Sequence, residues 1–261
     1  MSEDSGIADV AGARIAWWAQ GEGSAIVLNH AGVADARMWQ PLLSELPAGH
    51  RVVRYDMRGF GRTRAAAGTF SPSRDLAGLL DMLGIERAHV VGASFGGLVA
   101  LEFASMHPDR VASLVLLAPA LPDIEPTPQL LAFAEAEERA IALGRIEDAV
   151  AINVEMWAAD SSPEVRELVA DMQRMAFELQ LREGAESDEL EPPVSARLAA
   201  IEAPTAIAIG DRDVADFTAV AERLLAGLPR ASLHRIPDAG HLIALDQPAA
   251  AARLIADHLG G

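Results

Sequence analysis

The stretch His89-Val90-Val91-Gly92-Ala93-Ser94-Phe95-Gly96-Gly97-Leu98 reads as a short apolar strand, an abrupt Gly-x-Ser-x-Gly turn and the start of a helix. A strand that becomes a helix within one residue forces the central position into a strained backbone conformation and pushes its side chain outward. Gly92 and Gly96 lack a Cβ, so the strand end and the first helical turn can close around Ser94. Ser94 Oγ is then expected above a helix N-terminus, where backbone N–H groups and the helix dipole favour developing negative charge. A bare Gly-Ser turn has the same five letters; the strand before and the helix after give them chemical meaning.

Outward from that turn the pattern alternates. Arg14 to Ala19 and Ala25 to Asn29 read as an early strand pair, joined by the turn Gln20-Gly21-Glu22-Gly23. Ala36 to Leu46 reads as a helix that Pro47 and Gly49 end, Arg51 to Tyr55 as a strand, and Ser73 to Leu83 as a helix that stops at Gly84. Ala88 to Val91 and Val111 to Leu117 are apolar strands on either side of the helix Ser94 to Met106. This alternation predicts an α/β fold, a mostly parallel sheet flanked by helices.

From Leu121 to Pro193 no strand is expected. The segment reads as helical pieces punctuated by Pro122, Pro126, Pro128, Gly144, Pro163 and Gly184. Strands at Thr205 to Ile209 and Ser232 to Ile236, and helices at Ala215 to Leu228 and Pro248 to Leu259, then resume the alternation. The flanking pieces need each other to complete one sheet. The expected division is therefore a core of residues 1–120 and 194–261 with an inserted helical cap, 121–193.

Composition narrows the chemistry. The 261 residues, half of them hydrophobic, are enough for a sizeable ordered core. Cysteine is absent and all 21 basic residues are arginine, which excludes thiolate catalysis, a Schiff-base lysine and a P-loop lysine. A formal charge of −17 argues against nucleic acid and anionic membrane surfaces as partners. The acidic start Met1-Ser2-Glu3-Asp4-Ser5 is unlike a secretory or transit peptide, and no apolar run is long enough to span a membrane, so a cytoplasmic location is the expectation.

An exposed serine needs a base, and the base an orienting acid. Among the seven histidines His241 has the best context, in the turn Pro237-Asp238-Ala239-Gly240-His241 after the last strand. Loops beyond the C-terminal ends of parallel strands converge on the edge that presents Ser94. His50 and His258 read as surface positions, and His107 as a helix-end residue. Asp213, in Gly210-Asp211-Arg212-Asp213, follows a strand at the same edge and is the expected acid; Asp211 suits a turn, Asp216 a helix start, and Asp123 lies farther away. The loop Asn29-His30-Ala31-Gly32-Val33 can supply a second donor to an oxyanion, so the N–H of Phe95 is paired with that of Gly32, or of Ala31 if the register shifts by one. His30 is expected to brace this loop or to border the substrate pocket. In the inserted segment Trp157, Phe133 and Met156 are pocket candidates. No metal or cofactor is called for.

These motifs carry a resemblance. Besides the serine turn, Asp56-Met57-Arg58-Gly59-Phe60-Gly61-Arg62-Thr63 is similar to the D-x-R-G-x-G-x-S/T loop of the α/β-hydrolase superfamily. His30-Ala31-Gly32 with Trp39 resembles its H-G-x…W segment, and Gly240-His241 with Asp246-Gln247-Pro248 its terminal G-H…E/D-x-P. Two positions depart from the pattern: Ala31 stands for the usual glycine and Thr63 for the more frequent serine. The order Ser94, Asp213, His241 is the superfamily's nucleophile–acid–histidine order. The resemblance covers nearly the whole chain and is nearest to small capped bacterial esterases, enol-lactonases and perhydrolase-like enzymes. It implies a cofactor-independent serine hydrolase whose partner is a small-molecule ester or lactone, with a homodimer left open. The alternatives are a carbon–carbon bond hydrolase of ring-fission diketones and, from a different class, a ligand-binding protein with negligible turnover.

Overall fold

The computed structural model describes residues 3–188 and 190–260. In chain order the strands are β1 (Glu3–Val10), β2 (Ala13–Gln20), β3 (Ser24–Asn29), β4 (His50–Tyr55), β5 (Arg64–Ala65), β6 (Gly68–Phe70), β7 (Ala88–Ala93), β8 (Val111–Leu117), β9 (Ala185–Ser187), β10 (Thr205–Gly210) and β11 (Ala231–Ile236). The α-helices are α1 (Pro72–Met82), α2 (Phe95–Met106), α3 (Pro128–Ala142), α4 (Ile146–Trp157), α5 (Pro163–Glu183), α6 (Ala215–Gly227), α7 (Ile243–Asp246) and α8 (Pro248–Leu259). Among the described residues nine strands form one sheet in the order β1-β2-β4-β3-β7-β8-β10-β11, with β5 also on β2. From β4 to β11 the neighbours are parallel; β1 and β2 add an antiparallel edge.

The central strands are apolar almost throughout because both faces of the sheet are covered. Side chains alternate between two cores. Val90, Leu114 and Ile207 meet α1, α2 and α6, whereas Val91, Val115 and Ala208 meet α7, α8 and the segment after β3. Helix α2 lies against the middle of the sheet and is buried on most sides, which is why it lacks a polar stripe.

Four expectations change. The N-terminal segment forms β1, which its sequence signals weakly because only Ala8 and Val10 in it are buried. Strands β2 and β3 are not partners: β4 lies between them, antiparallel to β2 and parallel to β3. Residues Ala36–Glu45 wind as a 3-10 helix containing Pro41, whose missing N–H removes an α-helical bond. The inserted segment does hold a strand: β9 pairs in parallel with β6, from Gly68↔Ala185 to Phe70↔Ser187. Three residues carry too little alternation to read as a strand without their partner.

Elsewhere the punctuation is obeyed. Thr127 and Ser162 cap α3 and α5 by accepting from the N–H groups of Leu130 and Val165, with proline in each first turn. Gly184 ends α5 in the left-handed conformation, φ 59°.

The serine turn takes its shape from the glycines. A Cβ on Gly92 would overlap the carbonyl oxygen of Gly96, and one on Gly96 would overlap that of Asn29. Gly92→Ala is therefore expected to cost about 3 kcal/mol of stability, because backbone and not a flexible side chain must move. Urea denaturation checks this; a loss below about 1 kcal/mol would contradict the close approach.

Candidate active site

Ser94 stands between β7 and α2 with φ 50° and ψ −116°, a positive-φ backbone unusual for a residue other than glycine. The sheet holds it there. Its N–H donates to Leu117 O (3.0 Å), and its carbonyl accepts from Gly97, Leu98 and Ala120. The Ser94 side chain then reaches His241, with Oγ 2.9 Å from Nε2.

His241 follows β11 and Asp213 follows β10, and the two loops are fastened together. Asp211 N–H donates to Ile236 O and Arg212 N–H to Ala239 O. A Cβ on Gly210 would overlap the carbonyls of Ala239 and Gly240, so glycine is what admits the histidine loop against the end of β10. Both Asp213 oxygens lie near His241 Nδ1, at 3.1 and 3.2 Å, and Oδ1 also accepts from Val214 N–H (2.7 Å). With Nδ1–H donated to this carboxylate, Nε2 presents its lone pair to the serine hydroxyl. The imidazole is buried, packed against Trp157 from α4 (centroids 4.6 Å) and Phe217 from α6 (4.1 Å).

The N–H of Phe95, at the start of α2, and that of Gly32 have no acceptor among the described residues. A Cβ built on Gly32 would sit 3.5 Å from Phe95 Cβ, so the two backbones face each other. Ala31 N–H is directed elsewhere, to Met38 Sδ at 3.2 Å.

Comparisons with known proteins identify the family. A family model described as alpha/beta hydrolase fold matches residues 24–248. The chain belongs to the alpha/beta hydrolase family. It is 33% identical to the Variovorax paradoxus protein named "Putative carbamate hydrolase RutD", over 91% of this chain and 92% of that one. It is 31% identical to a 2-hydroxy-6-oxononadienedioate/2-hydroxy-6-oxononatrienedioate hydrolase of Cupriavidus pinatubonensis, over 90% and 86% of the two chains. Among solved structures, the enol-lactonase of Burkholderia xenovorans superposes with a TM-score of 0.79 at 25% identity, over 98% of this chain and all of the other.

A cavity of about 520 Å³ opens over Ser94 and His241 in this hydrolase. Helices α3 to α5 form one side of it through Phe133, Ile141, Trp157 and Phe177, and the loops after β3 and β4 the other through Val33 and Phe60. Phe133 and Trp157 thus lie where the sequence suggests. Met156 does not, and His30 takes the bracing place and not the pocket. Met156 points to a small neighbouring cleft, one helical step away from Trp157. His30 is fully buried behind the loop: Nε2 accepts from Met57 N–H (2.9 Å), Nδ1 lies 2.8 Å from Ala31 O, and the Phe60 ring meets it edge-on. Of the other histidines, His50 and His258 are half-buried, partly exposed at the surface as the sequence suggests. Asp216 is occupied in receiving the N–H and hydroxyl of Thr127, and Asp123 in receiving the Ser195 hydroxyl.

Sequence reasoning missed Phe217 and the polar lining residues Glu137, Asn153, Gln173 and Gln180. Phe217 had a signal, its place in the first turn of the helix after the acid. The others had none, since a polar residue in a surface-type helix is ordinarily solvated.

Burial pushes the His30 pKa down to about 4, so the folded protein holds it neutral. Between that value and the ordinary 6.5 the unfolded chain binds more protons, so this residue's contribution to stability falls as pH drops through the window. Asp56, pushed by burial up to about 6 from 3.8, works in the opposite sense between those values. Comparison with His30→Gln cancels the Asp56 effect and keeps an acceptor for Met57. The stability difference between wild type and the variant should shrink on acidification from pH 6.5, by at most about 1.4 kcal/mol per pH unit. Urea titrations across that range are the test, and a pH-independent difference would refute neutral burial.

Proposed function

We propose that this hydrolase cleaves a carboxylic ester or lactone through an acyl-enzyme on Ser94. The observation that carries the reading is the continuous chain Ser94 Oγ–His241 Nε2 and His241 Nδ1–Asp213, beside two unpaired backbone N–H groups. His241 takes the hydroxyl proton as Ser94 Oγ attacks the carbonyl carbon. The tetrahedral oxyanion receives the N–H groups of Phe95 and Gly32, and Asp213 stabilises the imidazolium. His241 then returns the proton to the departing alkoxide oxygen, and a water molecule repeats the sequence in reverse to release the acid. Residues 121–193 act as the cap that shapes what enters.

A second reading, carbon–carbon bond hydrolysis, has support in the activity named for the Cupriavidus relative. The dienedioate in that name carries carboxylates. Arg58 is the one arginine lining the cavity among the described residues, and Asp75 receives it through two bonds of 2.8 Å, so its charge is already matched. That favours an uncharged ester. A ligand-binding protein without turnover is disfavoured by the intact hydrogen-bonded set.

Wild type is expected to label with a fluorophosphonate and to hydrolyse p-nitrophenyl butyrate, and Ser94→Ala to do neither. Asp213→Asn should lower kcat by about 10⁴-fold, through the wrong histidine tautomer. Steady-state assays with the ester, a small lactone, a carbamate and a vinylogous diketone acid rank the substrate classes. Absence of labelling in folded wild type, or a preference for the diketone acid, would overturn the ester reading.

A further inference from the structure

A second cavity begins beside the serine. Its volume is about 390 Å³, and Phe95 and Ser187 border both it and the cavity over Ser94. His241 and Trp157 border the first cavity and not the second. One face of α2 forms a long side of this groove: Phe95, Leu98, Val99 and Glu102 stand at positions i, i+3, i+4 and i+7. Another side is the return of the inserted segment to the core, through Leu190 and Val194.

Most of α2 is buried, yet Phe95 and Leu98 are only half-buried, so the stripe leaves apolar surface uncovered. An alkyl chain that displaces water from such a surface gains up to about fourfold in affinity per methylene. At 1.5 Å of rise per residue, the stripe from Phe95 to Glu102 runs about 10 Å, the length of an extended chain of about eight carbons. Glu102 is the polar end of the stripe, 8% exposed, and burial pushes its pKa up against a hydrogen bond from Ser73 that lowers it. Of the other carboxylates bordering the groove, Asp123 receives the Ser195 hydroxyl, and Asp188 and Glu191 are exposed to water.

The reaction itself decides which part of a substrate points this way. The departing oxygen takes its proton from His241 Nε2, so the alcohol portion lies on the side of His241 and Trp157. The acyl portion is left the side of Phe95, where the groove begins.

We propose that the groove along α2 is an acyl-chain subsite, entered between Phe95 and Ser187, which suits the hydrolase to esters of straight, uncharged acyl chains of about eight carbons. The inference rests on the acyl-enzyme reading of Ser94, but its binding claim is testable without turnover.

The test reads kcat/KM for p-nitrophenyl esters from acetate to dodecanoate. Octanoate should exceed acetate by at least about tenfold, and longer chains should gain nothing further. Leu98→Trp fills the groove, and Ser187→Trp, at an exposed position, blocks its entrance; each should lower the octanoate-to-acetate ratio by at least about fivefold. These are ratios within one protein, so a modest loss of stability does not mimic them. In an alcohol series, octyl acetate against ethyl acetate, Leu98→Trp should leave the ratio within about twofold. Calorimetry supplies the measurement without turnover: in Ser94→Ala protein, Leu98→Trp should weaken methyl octanoate by at least about fivefold. A flat acyl-length profile, an octanoate preference that survives both substitutions, a loss confined to the alcohol series, or unchanged methyl octanoate binding would overturn the proposal. Failure of the hydrolase reading shows separately, as absent fluorophosphonate labelling of wild type.

Discussion

A serine held at φ 50° is the constraint on which the site depends. A residue with a side chain in such a conformation costs about 1–3 kcal/mol, and persists only where its surroundings leave no alternative. Here they leave none. The Ser94 N–H is bonded to the end of β8, its carbonyl receives three N–H groups, and the turn is squeezed between Asn29 on one side and Pro119 on the other. Relaxing the serine would break several buried bonds together. Its side chain therefore projects toward the cavity as a consequence of how three neighbouring strands meet α2.

The rigidity of the serine is matched at His241, whose confinement comes from three directions. The β10 and β11 loops are bonded to each other, with Gly210 allowing the contact. Asp246, just past the histidine, accepts from Gly240 N–H and from the Ser161 hydroxyl, joining the histidine loop to the link between α4 and α5. Trp157 and Phe217 close on the ring itself. The inserted helices thus take part in orienting His241 as well as bordering the cavity. Any rearrangement of α4 that admits a substrate would also be felt at His241.

What the amino-acid order reveals about this protein follows from the range over which each feature is determined. The Gly-x-Ser-x-Gly turn, the proline and glycine punctuation of α3 and α5 and the apolar strands β7, β8 and β10 are set by residues within a few positions of one another, and all are readable. So is the meeting of Ser94, Asp213 and His241, because parallel strands deliver their C-terminal loops to one edge whatever lies between them. Pairing between distant segments is not readable in the same way. Strand β9 exists through its partner β6, more than a hundred residues earlier, and β4 intrudes between β2 and β3 although the chain suggests a hairpin. Side-chain direction in the inserted helices is the other hidden quantity. Met156 and Trp157 are adjacent, yet one helical step of about 100° keeps Met156 off the large cavity that Trp157 borders. Of the two places open to His30, the structure takes the bracing one: the loop turns its ring inward, where Met57 N–H supplies the partner its burial requires.

The division between legible chemistry and illegible specificity has an energetic basis. The chemistry proposed for Ser94 and His241 would act on any carbonyl, and the chain is similar to proteins named for carbamate, dienedioate and enol-lactone substrates. Discrimination among such substrates must come from groups that touch the rest of the molecule. An apolar wall separates neighbours differing by a methylene only weakly, whereas an unmatched polar group in a dry wall penalises every ligand that fails to complete it. Phe133, Trp157 and Phe177 give this cavity an apolar wall, and Gln173 with Glu137 give it polar groups. The polar pair lies on helices that the elbow does not constrain. Selectivity can therefore change by substitution on α3 and α5 while the serine, its glycines and the loops behind it stay as the sheet requires.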